Sequence, residues 1–321
     1  MYVTLQNIYQ AQANLVNITR KTPIIYSEKL SSLVGAEIYL KLENIQVTGS
    51  FKVRGAFNKV SALTKDKRAN GVVAFSAGNH GAGTAYAASK MGVPCLVVMP
   101  DVPNEDKKQS ILSYGAEVVP GGMTSVEMFK TAVKLVEERG MTLIHPFNDL
   151  HIIAGQGTVG NELMKQLPDV DVVVCAVSGG GLISGVAAAV KETKPRTQMI
   201  GVNTEGAQAM YQSLANDRVT EVEEVNTIAD GLMAKEPGEL TFNHTKKYVD
   251  DMVLVSEEKI KETVGIMAKE TKTIVEPSGA AALAALLEGK VSLEKNQKVC
   301  VIVSGGNAEK HLYGELFSSY Y

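Results

Sequence analysis

Val172-Val173-Val174-Cys175-Ala176-Val177-Ser178-Gly179-Gly180-Gly181-Leu182 is the stretch from which the architecture of this chain is read. Its apolar residues run on without alternation, so the strand they form is covered on both faces, as in a parallel sheet. Ser178 and the glycines break that strand, and helical spacing resumes over 183–191. The order is strand, tight turn, helix.

The same order recurs on both sides. Val72–Phe75 leads through Ser76-Ala77-Gly78-Asn79-His80-Gly81 into a small-residue helix over 82–91. Cys95–Met99 closes at Pro100, and Asn104 is placed to cap a helix over 105–114. Strands are expected at 116–119 and 143–144, with a helix over 125–139 between them. After 172–177 come strands at 199–202 and 252–255, a helix started by Ser256-Glu257-Glu258, a helix over 280–287, and Val299-Cys300-Val301-Ile302-Val303. That last strand ends in Ser304-Gly305-Gly306-Asn307. Upstream, Ile8, Ala11, Leu15 and Ile18 give a helix over 5–20 ended by Thr22-Pro23, and 36–42 alternates as a strand. The pattern is weak between 203 and 250. The expected fold class is α/β, with two lobes of mostly parallel sheet covered by helices. Residues 66–147 form a small α/β domain, and 1–65 with 148–321 a larger one. Ligands in such sheets sit at the carboxyl ends of strands, where 76–81, 178–182 and 304–307 lie.

The chain has 321 residues, of which 45% are hydrophobic and 21% charged, with a formal net charge of −3. No basic footprint for nucleic acid is present, and with 6% aromatics and no Trp there is no stacking platform. Cys95, Cys175 and Cys300 each lie in an apolar run and read as buried thiols of a reducing compartment. The first residues lack the basic-then-apolar pattern of a signal peptide, and no run is long enough for a membrane span. A soluble cytoplasmic protein is expected.

The turns carry the chemistry. Successive glycines at 179–181 let backbone N–H groups face an oxyanion at a helix start, which suits one phosphate group. A tight turn without ligand fits the same residues. No Gly-Lys-Ser/Thr follows, so this is not a P-loop. Gly155-Gln156-Gly157-Thr158-Val159-Gly160 matches the dinucleotide pattern, yet it has no secure strand before it and no acidic residue closing the next one. Helix packing is the better reading. Ser304 could meet a heterocycle nitrogen or be a polar turn; His80 is a loop residue or a site group. His145, His151, His244 and His311 show no metal-ligand spacing, and no Gly-x-Ser-x-Gly elbow occurs. Lys52, in Thr48-Gly49-Ser50-Phe51-Lys52-Val53-Arg54-Gly55-Ala56, taken alone is a solvated charge. With the glycine turns it becomes the covalent anchor of a small phosphorylated cofactor.

Ser50-Phe51-Lys52-Val53-Arg54-Gly55-Ala56, Ser76-Ala77-Gly78-Asn79-His80, Gly155-Gln156-Gly157-Thr158, Ser178-Gly179-Gly180-Gly181-Leu182, Ala229-Asp230-Gly231 and Ser304-Gly305-Gly306-Asn307 stand in the order of the serine/threonine dehydratase family. The chain resembles these fold type II pyridoxal 5'-phosphate enzymes, tryptophan synthase β-like in fold, over about 15–315; the family includes serine racemase. The resemblance implies that Lys52 forms the Schiff base and takes the substrate's α-proton. It implies Phe51 beside the cofactor ring, Asn79 at the ring hydroxyl, Ser178, Gly179, Gly180, Gly181 and Leu182 around the phosphate, and Ser304 at the pyridine nitrogen. Family members often have a fourth glycine where this chain has Ser178. Ser76, Ala77, Gly78, Asn79 and His80 would clamp the substrate carboxylate.

A neutral serine at the pyridine nitrogen delocalises the carbanion less than an aspartate would, which favours prompt β-elimination. Racemases of the family carry a second serine where Ala77 stands, and Ala77 has no proton to give. Their carboxylate metal site follows the strand ending at Val202; Asn203-Thr204-Glu205-Gly206-Ala207-Gln208 stands there in this chain, and the metal is left open. With the sequence ending at Tyr321, the C-terminal regulatory domain of the biosynthetic threonine enzymes is not expected. The expected activity is dehydration and deamination of L-threonine to 2-oxobutyrate and of L-serine to pyruvate, by a degradative-type homodimer or homotetramer. Serine racemase, a 3-hydroxyaspartate dehydratase and a non-catalytic small-molecule binding protein are the alternatives.

Overall fold

A computed structural model of the chain describes residues 1–309 and 314. In chain order the first elements are α1 (Leu5–Asn14), β1 (Ile24–Tyr26), α2 (Glu28–Val34), β2 (Glu37–Leu42) and α3 (Lys52–Ser61). There follow α4 (Lys65–Asn70), β3 (Val72–Phe75), α5 (Asn79–Met91), β4 (Cys95–Met99), α6 (Glu105–Ser113), β5 (Glu117–Pro120), α7 (Ser125–Arg139) and β6 (Thr142–Leu143). The rest comprises α8 (Leu150–Gln166), β7 (Val172–Ala176), α9 (Gly181–Thr193), β8 (Gln198–Thr204), α10 (Ala209–Ala215), α11 (Glu239–Tyr248), β9 (Asp251–Val255), α12 (Glu257–Ile266), α13 (Pro277–Leu287) and β10 (Lys298–Val303).

Two sheets result. One has six strands in the order β1-β2-β10-β7-β8-β9, the other four in the order β5-β4-β3-β6. All pairings are parallel except that of β1 with β2. The last strand inserts between β2 and β7, so its carboxyl end meets the segment before α3. There the Phe51 N–H donates to Ser304 O at 3.2 Å, and the Gly306 N–H to Gly49 O at 2.9 Å. Both faces of the larger sheet are apolar: α13 and β9 share one core with β2, β7 and β10, while α8 and α9 cover the other face.

Several boundaries differ from the sequence expectations. α1 stops at Asn14 rather than at Thr22-Pro23, because Asn17 takes a left-handed conformation (φ 62°). α3 begins at Lys52 itself, α5 at Asn79, and α13 at Pro277, which suits a first helical position. β1, α2 and α4 have no counterpart in the sequence reading, and the stretch from 203 to 250 holds α10 and α11. His311 lies outside the described residues.

Gly155, Gly157 and Gly160 all fall inside α8. A Cβ on Gly155 would stand 2.6 Å from Arg54 O in α3; one on Gly157 would stand 3.0 Å from Gly185 O, and one on Gly160 2.8 Å from Val186 O, both in α9. The pattern is therefore backbone-to-backbone helix packing, not a nucleotide loop.

Candidate active site

Lys52 is the first residue of α3, where no side chain caps the helix. Its Nζ donates to Pro146 O at 3.2 Å and stands 5.2 Å from the Phe51 ring centroid. Burial pushes the amine down to about 8, against the pull of the Glu276 carboxyl. An amine in that range is partly unprotonated near neutrality, as a nucleophile must be.

The helix is held from behind by an ion cluster. Arg54 pairs with Glu43 (Nε–Oε2 2.8 Å) and with Glu162 (Nη1–Oε1 2.7 Å). Lys41 donates to Glu162 Oε2 and to Thr22 O, each at 2.7 Å. These charges are buried and matched two against two, so none is left uncompensated. Two residues after Lys52, Arg54 thereby ties α3 to β2's end and to α8.

α5 faces α3. Gly83 permits this approach, since a Cβ there would lie 3.0 Å from Val53 N. Asn79, at the start of α5, donates from Nδ2 to Glu276 Oε1 at 2.8 Å and accepts at Oδ1 from Asn307 Nδ2 at 2.7 Å. Ser76 Oγ accepts the Gly78 N–H at 3.0 Å, and Ala77 is exposed. Gly78 precedes α5 with no side-chain cap, so the first-turn N–H groups of α5 face outward as donors. His80 turns away. Its Nε2 meets Ile144 O at 2.7 Å, and burial, with the Lys52 charge next, pushes the imidazole down to about 3. It is a neutral tie inside the four-stranded layer. His145 is also neutral: burial pushes it down to about 4, and its Nδ1 accepts from Asn148 N–H at 2.9 Å.

The glycine turn ends β7. Gly180 has φ +92°, and α9 opens at Gly181 without any side-chain cap. Ser178 Oγ instead accepts the Ala234 N–H at 3.2 Å, and Gly179 O accepts from Thr241 Oγ1 at 2.5 Å. The Phe147 ring packs where a Gly179 Cβ would be, 2.3 Å from that point. Leu182 is buried behind the turn. Ser304, at the end of β10, is buried and donates from Oγ to Ser278 O at 3.3 Å. A groove of about 550 Å³ runs beside the turn, lined by His145, Phe147, Asn148, Glu236, Gly238 and Phe242 among others.

Two residues of this crevice escaped sequence reasoning. Glu276 is a carboxyl only 3% exposed, pushed up to about 8 by burial and by Asp230. The signal for it was Pro277, which makes the preceding residue a helix cap. Lys107 of α6 pairs with Asp230 and lies 3.7 Å from Glu309, crossing between the two sheets. Its side chain packs over Gly78. Among the described residues no group of three or more His, Cys, Asp or Glu could hold a metal ion.

The residues fit a phosphorylated aldehyde. The uncapped start of α9 offers backbone donors for an anion, the glycines leave the turn free of Cβ atoms, and the Lys52 amine reaches Pro146 O, one residue before the Phe147 that packs on Gly179. The comparisons agree. Residues 16–305 match the model of the "Pyridoxal-phosphate dependent enzyme" family, and the chain belongs to that family, with the fold type II architecture. Its cofactor is pyridoxal phosphate. Among characterised relatives it is 45% identical over 316 residues to an L-threonine ammonia-lyase of Thermotoga maritima, covering 98% of this chain and 78% of that one. It is 40% identical to the catabolic L-threonine dehydratase TdcB of Staphylococcus aureus, covering 96% and 90%. Among solved structures, a T.th. threonine deaminase superposes with a TM-score of 0.90 at 41% identity, covering 95% of this chain and 99% of that one. Maize serine racemase superposes with 0.93 at 35% identity, covering 100% of each chain.

Proposed function

We propose that this chain is a threonine/serine ammonia-lyase, converting L-threonine to 2-oxobutyrate and ammonia and L-serine to pyruvate and ammonia. The observation that carries the reading is the Lys52 amine, held at about 8 and bonded to Pro146 O, beside the Phe147 that packs on the uncapped glycine turn. Bound pyridoxal phosphate supplies a sink for the electron pair released at the substrate's α-carbon. Gly179, Gly180, Gly181 and Leu182 offer backbone N–H groups to the phosphate. Phe51 would flank the ring, Asn79 would face its ring oxygen, and Ser304, whose O–H donates to Ser278 O, would present its neutral oxygen to the ring nitrogen. The first turn of α5, with Ser76, Ala77 and Gly78 before it, receives the substrate carboxylate. His80 acts there only through its backbone, because its ring is committed to Ile144 O. Lys52 Nζ takes the α-proton; the β-hydroxyl leaves as water once that proton is returned to it. The unsaturated amine left behind takes up water and yields keto acid and ammonia.

Residues 66–147 are proposed as the small domain, and 1–65 with 148–321 as the large cofactor-binding one; the separate four-stranded sheet supports the division. Cytoplasmic location is supported by the buried free thiols of Cys175 and Cys300; among the described residues no helix is long and apolar enough to cross a membrane. A homodimer or homotetramer is supported by exposed apolar side chains such as Tyr26 and Leu33. Racemisation is the second reading, favoured by the superposition on maize serine racemase. Ala77 stands against it, since a methyl group cannot protonate the face opposite Lys52.

The test is direct. The purified protein should be yellow and release keto acid from threonine, and Lys52→Ala should lose both while keeping its fold. A colourless wild type that binds amino acids without releasing keto acid would replace this reading with a binding protein.

A further inference from the structure

Asn79 has an amide that could face the crevice with either end, and the two ends have opposite chemistry. Its orientation is settled by a chain of contacts anchored on a backbone carbonyl. Thr48 O can only accept. Asn307 reaches it at 2.8 Å and must therefore do so with Nδ2. The same Nδ2 group stands 2.7 Å from Asn79, so Asn79 must offer Oδ1 there. Its Nδ2 is then on the other side, 2.8 Å from Glu276 Oε1. Glu276 accepts there whether or not its other oxygen carries a proton. Both ends of the Asn79 amide are held, and one N–H of Nδ2 is left over.

The lock is built into the backbone. Gly49 has φ +74°, and a Cβ on it would overlap Asn307 Oδ1 at 2.1 Å; a Cβ on Gly305 would overlap Glu276 Oε1 at 2.1 Å. Both glycines are needed for these side chains to reach Asn79. The charged groups around Glu276 are Lys52 on α3, Lys107 on α6, and Asp230, which Lys107 pairs with.

We infer that Asn307 and Glu276 are positioning residues that fix Asn79 as a hydrogen-bond donor toward the cofactor's ring oxygen, so that this oxygen is held as the anion. The inference rests on the reading of Asn79 as that oxygen's partner. An amide N–H can only donate, and donation to an anionic oxygen is the stronger form of the bond. A flipped amide would present Oδ1 and favour the neutral hydroxyl.

The test uses the holoenzyme's absorption bands, cofactor affinity by dialysis titration, and melting of the apo forms. Asn307→Asp and Asn307→Leu should move intensity from the visible band to the near-ultraviolet band of the neutral hydroxyl form. They should also weaken cofactor binding about tenfold, the factor that about 1.4 kcal/mol carries. Glu276→Met should do the same, whereas Glu276→Gln, which keeps an acceptor at Oε1, should keep the wild-type bands. Asn79→Leu separates the two ideas. If it leaves the bands unchanged, Asn79 does not meet the ring oxygen. If Asn79→Leu shifts them while the Asn307 variants and Glu276→Met match wild type, the lock is overturned. Lowered melting with unchanged bands in these variants reduces both residues to packing and overturns it equally.

Discussion

Arg54 Nη1 and Glu162 Oε1 lie 2.7 Å apart in a part of the molecule that water does not reach. The pair is one edge of the cluster that includes Glu43 and Lys41, and it sits two residues along α3 from Lys52. Removing one member strands the charges it matched.

Arg54→Met should therefore destabilise the apo protein by about 3–5 kcal/mol, the cost of leaving a buried ion without its partner. The urea midpoint measures this. Arg54→Lys should fall in between, because an ammonium keeps the charge but loses the fork that reaches both carboxylates. A loss below about 1 kcal/mol for Arg54→Met would place the cluster among contacts that merely coexist with the fold.

His80 and His145 are held neutral, pushed down to about 3 and about 4 by burial. The unfolded chain binds protons on both near the ordinary histidine value of about 6.5. Folding stability therefore falls as pH drops below about 6.5, by at most about 1.4 kcal/mol per pH unit for each ring, until the folded values are reached. Glu276 works in the opposite direction. Its carboxyl is pushed up to about 8, so its contribution is complete at acid pH and declines as pH rises from the ordinary carboxylate range to about 8. Melting temperature against pH should show both limbs. His80→Asn should flatten the acid limb and Glu276→Gln the alkaline one.

Gly185 is a sharper test of helix seating than any large core residue. A Cβ there would meet Ile153 O at 2.3 Å and Gly157 N at 2.4 Å, and backbone on both sides cannot move out of the way. Gly185→Ala should cost about 3 kcal/mol, at the upper end for overpacking, in the same urea experiment. Gly289→Ala separates clash from backbone strain: nothing lies within 4 Å of its Cβ position, but its φ of +72° is left-handed, so it should cost about 1–2 kcal/mol from conformation alone.

Ala77 is exposed next to Ser76, beside the start of α5. Ala77→Ser should raise the D-serine found in serine remaining after partial turnover, with keto-acid release reduced by less than tenfold. Chiral analysis of that residual serine reads the outcome; no gain in D-serine would remove Ala77 as the reason for preferring elimination.

The parallel strands and the turns after β3, β7 and β10 were legible because each is coded locally: an apolar run, then glycine. The burial of Lys52 at a helix start was not legible from its charge, which alone reads as solvated. Glu276 and Asn307 were not legible as partners of Asn79, since they meet it only after 197 and 228 residues of chain have folded. Charge and polarity in sequence do not say which buried group they will satisfy. His80 shows the converse: its place in a turn left it open as a loop residue or a site group, and the ring went inward to the Ile144 carbonyl, a contact no local pattern encodes. The glycine pattern in α8 imitated a nucleotide loop because close backbone approach requires the same residue in both settings.

Gly155 touches α3, and Gly157 and Gly160 touch α9, all on one helix. Lys52 sits at the head of α3 and the glycine turn at the head of α9. α8 thus works as a caliper, whose missing side chains set how far apart the two jaws stand. A wider residue on it would alter the reach between amine and turn without touching either.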